Sequence, residues 1–341
     1  MTAQSVRPQS RHELSAYARL AAEIRDLGLM RPRIGFYTAV LVLTLLALAL
    51  VVAVMALVRD SWWLLFLAPP LAVVSVQMGF FGHDAGHRQV SRKAGPSRWL
   101  GLFAGNMING FSYDWWVTKH NAHHAHPNDL EADPDVRSGA LVFDSSQAMG
   151  RRGASAWLAR HQAWFFFPML TLEALNLHIS SVRALLSSRA RHRGSEAAFL
   201  VGHFVLYGML LVLTMTWTQA LVFIAIHKGL SGVYLGSSFA PNHKGMPVLT
   251  GEQAADPLLR QVLTSRNVRG GPVVDVALGG LNYQIEHHLF PSMPRPNLRH
   301  AQPVVRAFCE RHGVSYEETS LWASYAIVLR HLDTVADPSA A

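Results

Sequence analysis

Seven of the 18 histidines in this 341-residue chain fall in three short stretches. They are His83-Asp84-Ala85-Gly86-His87, His120-Asn121-Ala122-His123-His124 and Gln284-Ile285-Glu286-His287-His288. Residues at i, i+3 and i+4 share one face of a helix. His83 and His87 fit i, i+4; His120, His123 and His124 fit the full triplet; Gln284, His287 and His288 repeat it with glutamine first. Each stretch therefore aims two or three nitrogen-rich side chains in one direction. Neutral imidazole is the commonest protein ligand for metals and suits iron, zinc, copper or nickel. Ligand number says more than ligand type: a catalytic zinc takes three protein ligands and a water, whereas seven histidines suit two metals. One such motif arises by chance; three in a single chain do so far less readily.

Metal-bound histidines usually donate their second N–H to a carboxylate or carbonyl. Asp84, Asp114, Asp129, Glu131, Asp133, Asp135 and Glu286 flank the three stretches, and some of them are expected to orient ligands. The remaining histidines read differently. His126 lies beside the second stretch without an i+4 partner and is expected to be polar support. His161, His178, His203 and His227 lie in apolar surroundings and read as hydrogen-bonded interface residues. His12, His192, His300, His312 and His331 read as surface residues.

The elements that must position these groups are apolar. The chain is 50% hydrophobic and 15% charged, against about 25% charged in a soluble domain. That excludes a disordered chain. The one cysteine, Cys309, excludes an internal disulfide framework. Residues 36–58, 62–81, 199–217 and 219–240 form four long blocks; Pro69-Pro70 interrupts the second, and the fourth contains Lys228. About 20 apolar residues cross a bilayer as a helix, so four spans are expected. Residues 99–111 are too few to span, and 157–179 contain Arg160, His161, Glu173 and His178; both read as interfacial or re-entrant helices.

Lys and Arg exceed Asp and Glu by 30 to 22. With four spans, the segments 1–35, 82–198 and 241–341 share one side and hold 28 of the 30 basic residues. Basic segments stay cytoplasmic, so a multi-pass protein of the cell membrane with both termini inside is expected. The positive balance then needs no nucleic acid. No internal repeat is visible. The fold expected is an all-α integral membrane protein, four transmembrane helices under a cytoplasmic helical cap. Its divisions are an N-terminal segment 1–35, a main domain 36–311 and a C-terminal tail 312–341.

The three stretches, in this order and with two apolar blocks between the second and third, resemble the histidine boxes HxxxH, HxxHH and [HQ]xxHH of the membrane fatty acid desaturases. The wider strings GHDAGHRQVS, HNAHHAHPND and GGLNYQIEHHLFPSMP match as well, and the resemblance runs from about Phe36 to about Arg311. Glutamine at the head of the third box resembles the front-end, linoleoyl-CoA-desaturase-like branch. The resemblance implies an O2-dependent non-haem di-iron oxidoreductase. It implies that His83, His87, His120, His123, His124, His287 and His288 hold two irons, with His243 at the end of the fourth span as a further ligand. It also implies a fatty acyl substrate and two electrons from an external donor. Gln284 departs from an all-histidine site; with Asn242, Asp84 and Glu286 it is expected to bind weakly or to support the ligands.

Front-end desaturases often carry a fused cytochrome b5 domain with an HPGG motif, which residues 1–35 lack; the expected donor is a separate ferredoxin or cytochrome-type carrier. A basic face would steer an acidic carrier. Taking hydrogens from unactivated methylenes is beyond any side-chain acid or base and needs an oxidant derived from O2 at a metal. The expected product is a cis double bond, with an apolar tunnel selecting the methylene. Phe111, Trp115 and Trp116 are expected to line that tunnel or to pack beside it. A fatty acyl or lipid hydroxylase, ketolase or acetylenase on the same scaffold is the alternative. From another class, a membrane protein relaying electrons through bis-histidine haems predicts one histidine pair on facing spans per haem, which clusters outside the spans do not match. A zinc protease would need HExxH, which does not occur.

Overall fold

A computed structural model describes residues 15–137, 139–187 and 192–336; His12 lies outside them. Helix α1 (Ala16–Asp26) starts at Ser15, whose Oγ accepts from Ala18 N. Helix α2 (Ile34–Leu57) is apolar on every face and buries only Tyr37, Val51 and Met55, as expected where lipid covers the rest. A 3₁₀ turn over Trp62–Leu67 runs into α3 (Ala68–Gly86). Pro69 and Pro70 sit in the first turn of α3, where a missing N–H costs nothing. The proline pair therefore starts a helix inside the span and does not interrupt it.

Helix α4 (Ala94–Leu102) continues as a π-helical turn over Phe103–Asn109. Gly110 ends this turn at φ 76°, with the rings of His178 and His203 against its Cα, so no side chain fits there. Helix α5 (Tyr113–Ala125) is capped by Ser112, and the small helices α6 (Ser145–Ala148) and α7 (Gly153–Arg160) follow. Helices α8 (Gln162–Leu170) and α9 (Glu173–Leu186) are bent 69° to one another. Together they are long and apolar enough for a span broken at the bend or for a re-entrant loop.

Helix α10 (Arg193–Thr214) leads to α11 (Trp217–His243), which opens on a capping box between Thr216 and Gln219. Beyond it lie α12 (Gly251–Ala255), α13 (Pro257–Leu263), α14 (Pro272–Ala277), α15 (Gln284–Leu289), α16 (Arg295–Arg311) and α17 (Leu321–Thr334). The short strands β1 (Asn267–Arg269) and β2 (Glu318–Ser320) pair in parallel, with Asn267 opposite Glu318. They are the one departure from an all-helical chain among the described residues.

Among the described residues four helices are long and apolar enough to cross a membrane: Ile34–Leu57, Trp62–Gly86, Arg193–Thr214 and Trp217–His243. The second and fourth run further than hydropathy indicates, to Gly86 and His243. Their last turns face protein, so polar residues continue the helix without meeting lipid. The short connections Arg59–Ser61 and Met215–Thr216 meet at one end, where Asp60 N donates to Thr214 O at 2.9 Å. Helices α3 and α11, which pack against each other along the bundle, both point away from that end and bring their last turns together at the other.

Two terminal stretches are more than appendages. Helix α1 buries Leu20 and Ile24 in a cluster with Ile285, Leu289 and Val305. Residues 312–336, expected as a tail, carry β2 and α17; Val328 and Leu332 of α17 pack on Phe166 and Ala240.

Candidate metal centre

All eight histidines expected as ligands are buried and lie together. His83 sits in the last turn of α3 and His87 caps it; His120, His123 and His124 come from α5, His243 ends α11, and His287 and His288 come from α15. Side-chain nitrogens of His83, His87, His120 and His287 fall within 4.8 Å of one another, as do those of His123, His243 and His288. His124 joins the two groups. Its Nε2 lies 3.1 Å from His120 Nε2, and its ring stacks on His288 at 4.2 Å.

The outward nitrogens are fixed. His83 Nδ1 pairs with Asp84 Oδ1 at 3.1 Å, and His123 Nδ1 with Asp133 Oδ2 at 2.9 Å. His243 Nδ1 donates to Thr264 O at 3.0 Å, and His288 Nδ1 to Gln261 Oε1 at 2.9 Å. Each of these bonds places the ring proton on Nδ1 and leaves the Nε2 lone pair facing inward.

Five box histidines keep a buried nitrogen with no hydrogen-bond partner: Nε2 of His83, His87, His287 and His288, and Nδ1 of His124. An unsatisfied buried polar group costs about 1–3 kcal/mol. Five crowded together fit metal ions that the two groups would share between them. Burial first, and then the neighbouring imidazoles, holds His87, His120, His124, His287 and His288 well below the usual imidazole range. The neutral form is the one that binds metal.

The supporting residues divide sharply. Asp84 also accepts from Arg295 Nε at 2.8 Å, so the arginine fixes the carboxylate that fixes His83. Asp133 is fully buried and accepts from Asn128 N at 2.9 Å as well. Asp135 takes an ion pair from Lys119, which against the upward push of burial brings it down to about 2. Gln284 Nε2 lies 2.8 Å from His243 Nε2 and its Oε1 accepts from Asn242 Nδ2 at 3.1 Å; glutamine and asparagine thus stand beside the second group. Glu286 points the other way, to Asn267 Nδ2 and Tyr316 OH, both at 2.7 Å. It ties α15 to β1 and supports the box from behind.

Asp114 binds Arg98 and His192 and does not reach the centre. Asp129 accepts from the backbone of Glu131 and Ala132, and Glu131 is exposed. His126, His192, His300 and His312 are exposed. His331, expected at the surface, is half-buried with Nε2 3.1 Å from Phe143 O. His161 and His178 bond Trp157 O and Gly110 O, His203 bonds Met107 O, and His227 lies between Tyr207 and Ser75. Cys309 is buried in the cluster with Leu289 and Val305, and burial pushes its thiol up to about 12, out of reach of thiolate chemistry.

A cavity of about 390 Å³ adjoins the centre. His83, His120, His123 and His243 open onto it, and Phe80, Phe111, Leu177, Leu235 and Phe239 line its apolar part. Trp116 also lines it and stacks on His120 at 4.5 Å.

Among the described residues, four membrane-length apolar helices and eight buried imidazoles in two touching groups beside an apolar cavity make an arrangement that could hold metal ions. The profile described as "Fatty acid desaturase" matches residues 60–320. Acyl-lipid (9-3)-desaturase of Borago officinalis is 30% identical over 76% of this chain and 61% of its own length. Delta(8)-fatty-acid desaturase 2 of Arabidopsis thaliana is 30% identical over 94% of this chain and 74% of its own length. A Delta(6)-fatty-acid desaturase of Caenorhabditis elegans is 27% identical over 96% and 76%. The chain thus spans about three fifths of the borage protein and about three quarters of the other two. The chain belongs to the fatty acid desaturase family.

Proposed function

We propose that the protein is an acyl desaturase that inserts a cis double bond into a fatty acyl chain, using O2 and two electrons from an external donor. The observation that carries this reading is the convergence of eight buried imidazoles, from four separate elements, at the wall of an apolar cavity. Iron is the metal assigned, because imidazole-rich sites accept it and the family's reaction needs a redox metal. His83, His87, His120 and His287 would hold one iron; His123, His243 and His288 would hold the other, with His124 between them and Gln284 beside His243. The bound irons would supply the O2-derived oxidant that removes hydrogen from two neighbouring methylenes.

The chain's own residues do the rest. Asp84, Asp133, Thr264 and Gln261 lock the imidazole tautomers. Phe80, Phe111, Leu235 and Phe239 hold the acyl chain and keep water out. The basic excess on the box side supports a cytoplasmic cap, both termini inside the cell membrane, and docking of an acidic ferredoxin or cytochrome-type donor. The quoted relatives are all named desaturases, which favours desaturation over hydroxylation or ketolation. A haem relay is disfavoured because the box rings pack 4.2 to 6.4 Å apart, leaving no slot for a porphyrin.

Expression of the full chain in a host, with fatty-acid profiling by mass spectrometry, tests the reading. A new alkene is expected. A hydroxylated product with no new alkene would overturn it.

A further inference from the structure

A second cavity, of about 560 Å³, opens between residues 32–36 at the start of α2 and the first turns of α16. It shares no lining residue with the cavity at the metal centre. Its ionisable lining is basic throughout: Arg33, Arg299 and His300, with no Asp or Glu. Arg33 Nε donates to Asn297 Oδ1 at 2.8 Å, and Arg299 Nε to His300 Nε2 at 3.2 Å. Among the described residues neither arginine forms an ion pair. A guanidinium has five N–H donors, so both keep donors for an anion.

The site is held in place from behind. Asn297 is fully buried and its Nδ2 donates to Leu29 O at 2.6 Å, while the Arg92 guanidinium bonds Met30 O. The chain entering α2 is thereby tied both to α16 and to the segment between α3 and α4. Helix α2 starts at Arg33 without a side-chain cap, so the N–H groups of its first turn add to the anion's reception.

The cavity also has an apolar side. Phe36 lines it and heads a stripe that continues through the exposed Leu43, Leu46, Leu50 and Leu57. These positions share one face of the helix. From Phe36 to Leu57 the stripe runs about 32 Å at 1.5 Å per residue, against about 30 Å for the hydrocarbon layer of a bilayer. The basic cavity therefore stands where hydrocarbon gives way to phosphate groups.

We propose that this cavity binds the headgroup of an anionic glycerophospholipid. Arg33 and Arg299 receive the phosphodiester, and an acyl chain lies along the Phe36–Leu57 stripe. The site lies outside the reaction, and the proposal depends only on α2 crossing the bilayer. Charge and stripe select the ligand together. A free phosphate would use the arginines alone, and an acidic protein surface would leave the stripe bare. A zwitterionic headgroup would bring its own cation against the two arginines.

The test titrates the full chain, purified in detergent, with phosphatidylglycerol or phosphatidylcholine and counts retained lipids by native mass spectrometry. One phosphatidylglycerol should be retained with about tenfold preference over phosphatidylcholine. Inorganic phosphate should displace it no better than chloride of the same ionic strength. Arg33→Gln combined with Arg299→Gln should bring the preference close to parity, whereas Arg160→Gln, which removes a charge elsewhere, should keep it. Equal retention of the two lipids, specific displacement by inorganic phosphate, or a preference that survives the double variant would overturn the proposal. If the double variant does not accumulate, the comparison of the two lipids on the unaltered protein decides alone.

Discussion

His123 Nε2 lies 3.3 Å from His243 Nε2, although 120 residues separate them and one stands on α5 and the other at the end of a membrane-length helix. Both Nδ1 atoms are committed, to Asp133 and to Thr264 O. Both Nε2 atoms therefore present lone pairs. The Gln284 amide, 2.8 Å from His243 Nε2, donates to that nitrogen, so His123 Nε2 is the acceptor of the pair with no donor beside it, a place that a cation would fill.

His243→Ala removes one of those lone pairs and a ligand of the second group. Bound iron should fall by half or more and desaturation should cease, while the protein still inserts. Elemental analysis of the purified variant beside product analysis checks this. Wild-type iron with wild-type turnover would remove His243 from the ligand set.

Gln261 accepts from His288 Nδ1 and donates to His124 O at 2.8 Å, so one side chain steadies two boxes. Gln261→Leu keeps the volume and loses both bonds. Loss of such a partner costs about 10–100-fold in metal affinity, and competition with an iron chelator reads that shift directly. An unchanged affinity would mean that the packing of the rings alone orients them.

The metal-free protein should lose stability in acid. The folded-state pKa values of His87, His120, His124, His287 and His288 lie below the unfolded value, so the unfolded chain binds more protons. The stabilisation is complete above about pH 6.5 and is lost as pH falls below it. Thermal melts of metal-free protein between pH 7.5 and 5.5 should show Tm dropping throughout. A Tm that rises on acidification would contradict the buried neutral imidazoles.

Leu235 lines the apolar part of the cavity. Leu235→Trp should fill that part, abolishing conversion of the longest acyl chains while shorter ones still react. Competition between chains of two lengths in one culture measures the ratio. Equal loss for both would place the acyl chain elsewhere.

Much of this was legible in the sequence, and its limits are physical. Histidine triplets at helical spacing and uncharged blocks of some twenty residues are local patterns, so the boxes and spans could be read directly. The span ends could not. Hydropathy stops at Phe81 and Ala240, but the backbone hydrogen bonding of α3 and α11 continues to Gly86 and His243 because protein surrounds those turns. Flanking position found Asp84 and Asp133 but also suggested Asp114, which binds Arg98; nearness in sequence does not say which way a carboxylate faces. Gln261, Thr264 and Arg295 carried no signal, since they meet the boxes only through the packing of α13, α16 and the turn before β1. For the same reason α17 looked like a tail until Val328 and Leu332 were seen against Phe166.

Metal content with its spectroscopic identity tests the central claim most directly. Purified, membrane-reconstituted protein should hold two irons per chain, magnetically coupled in the Mössbauer spectrum and without a haem Soret band. A single metal, a zinc site or a haem spectrum would contradict the paired iron centre.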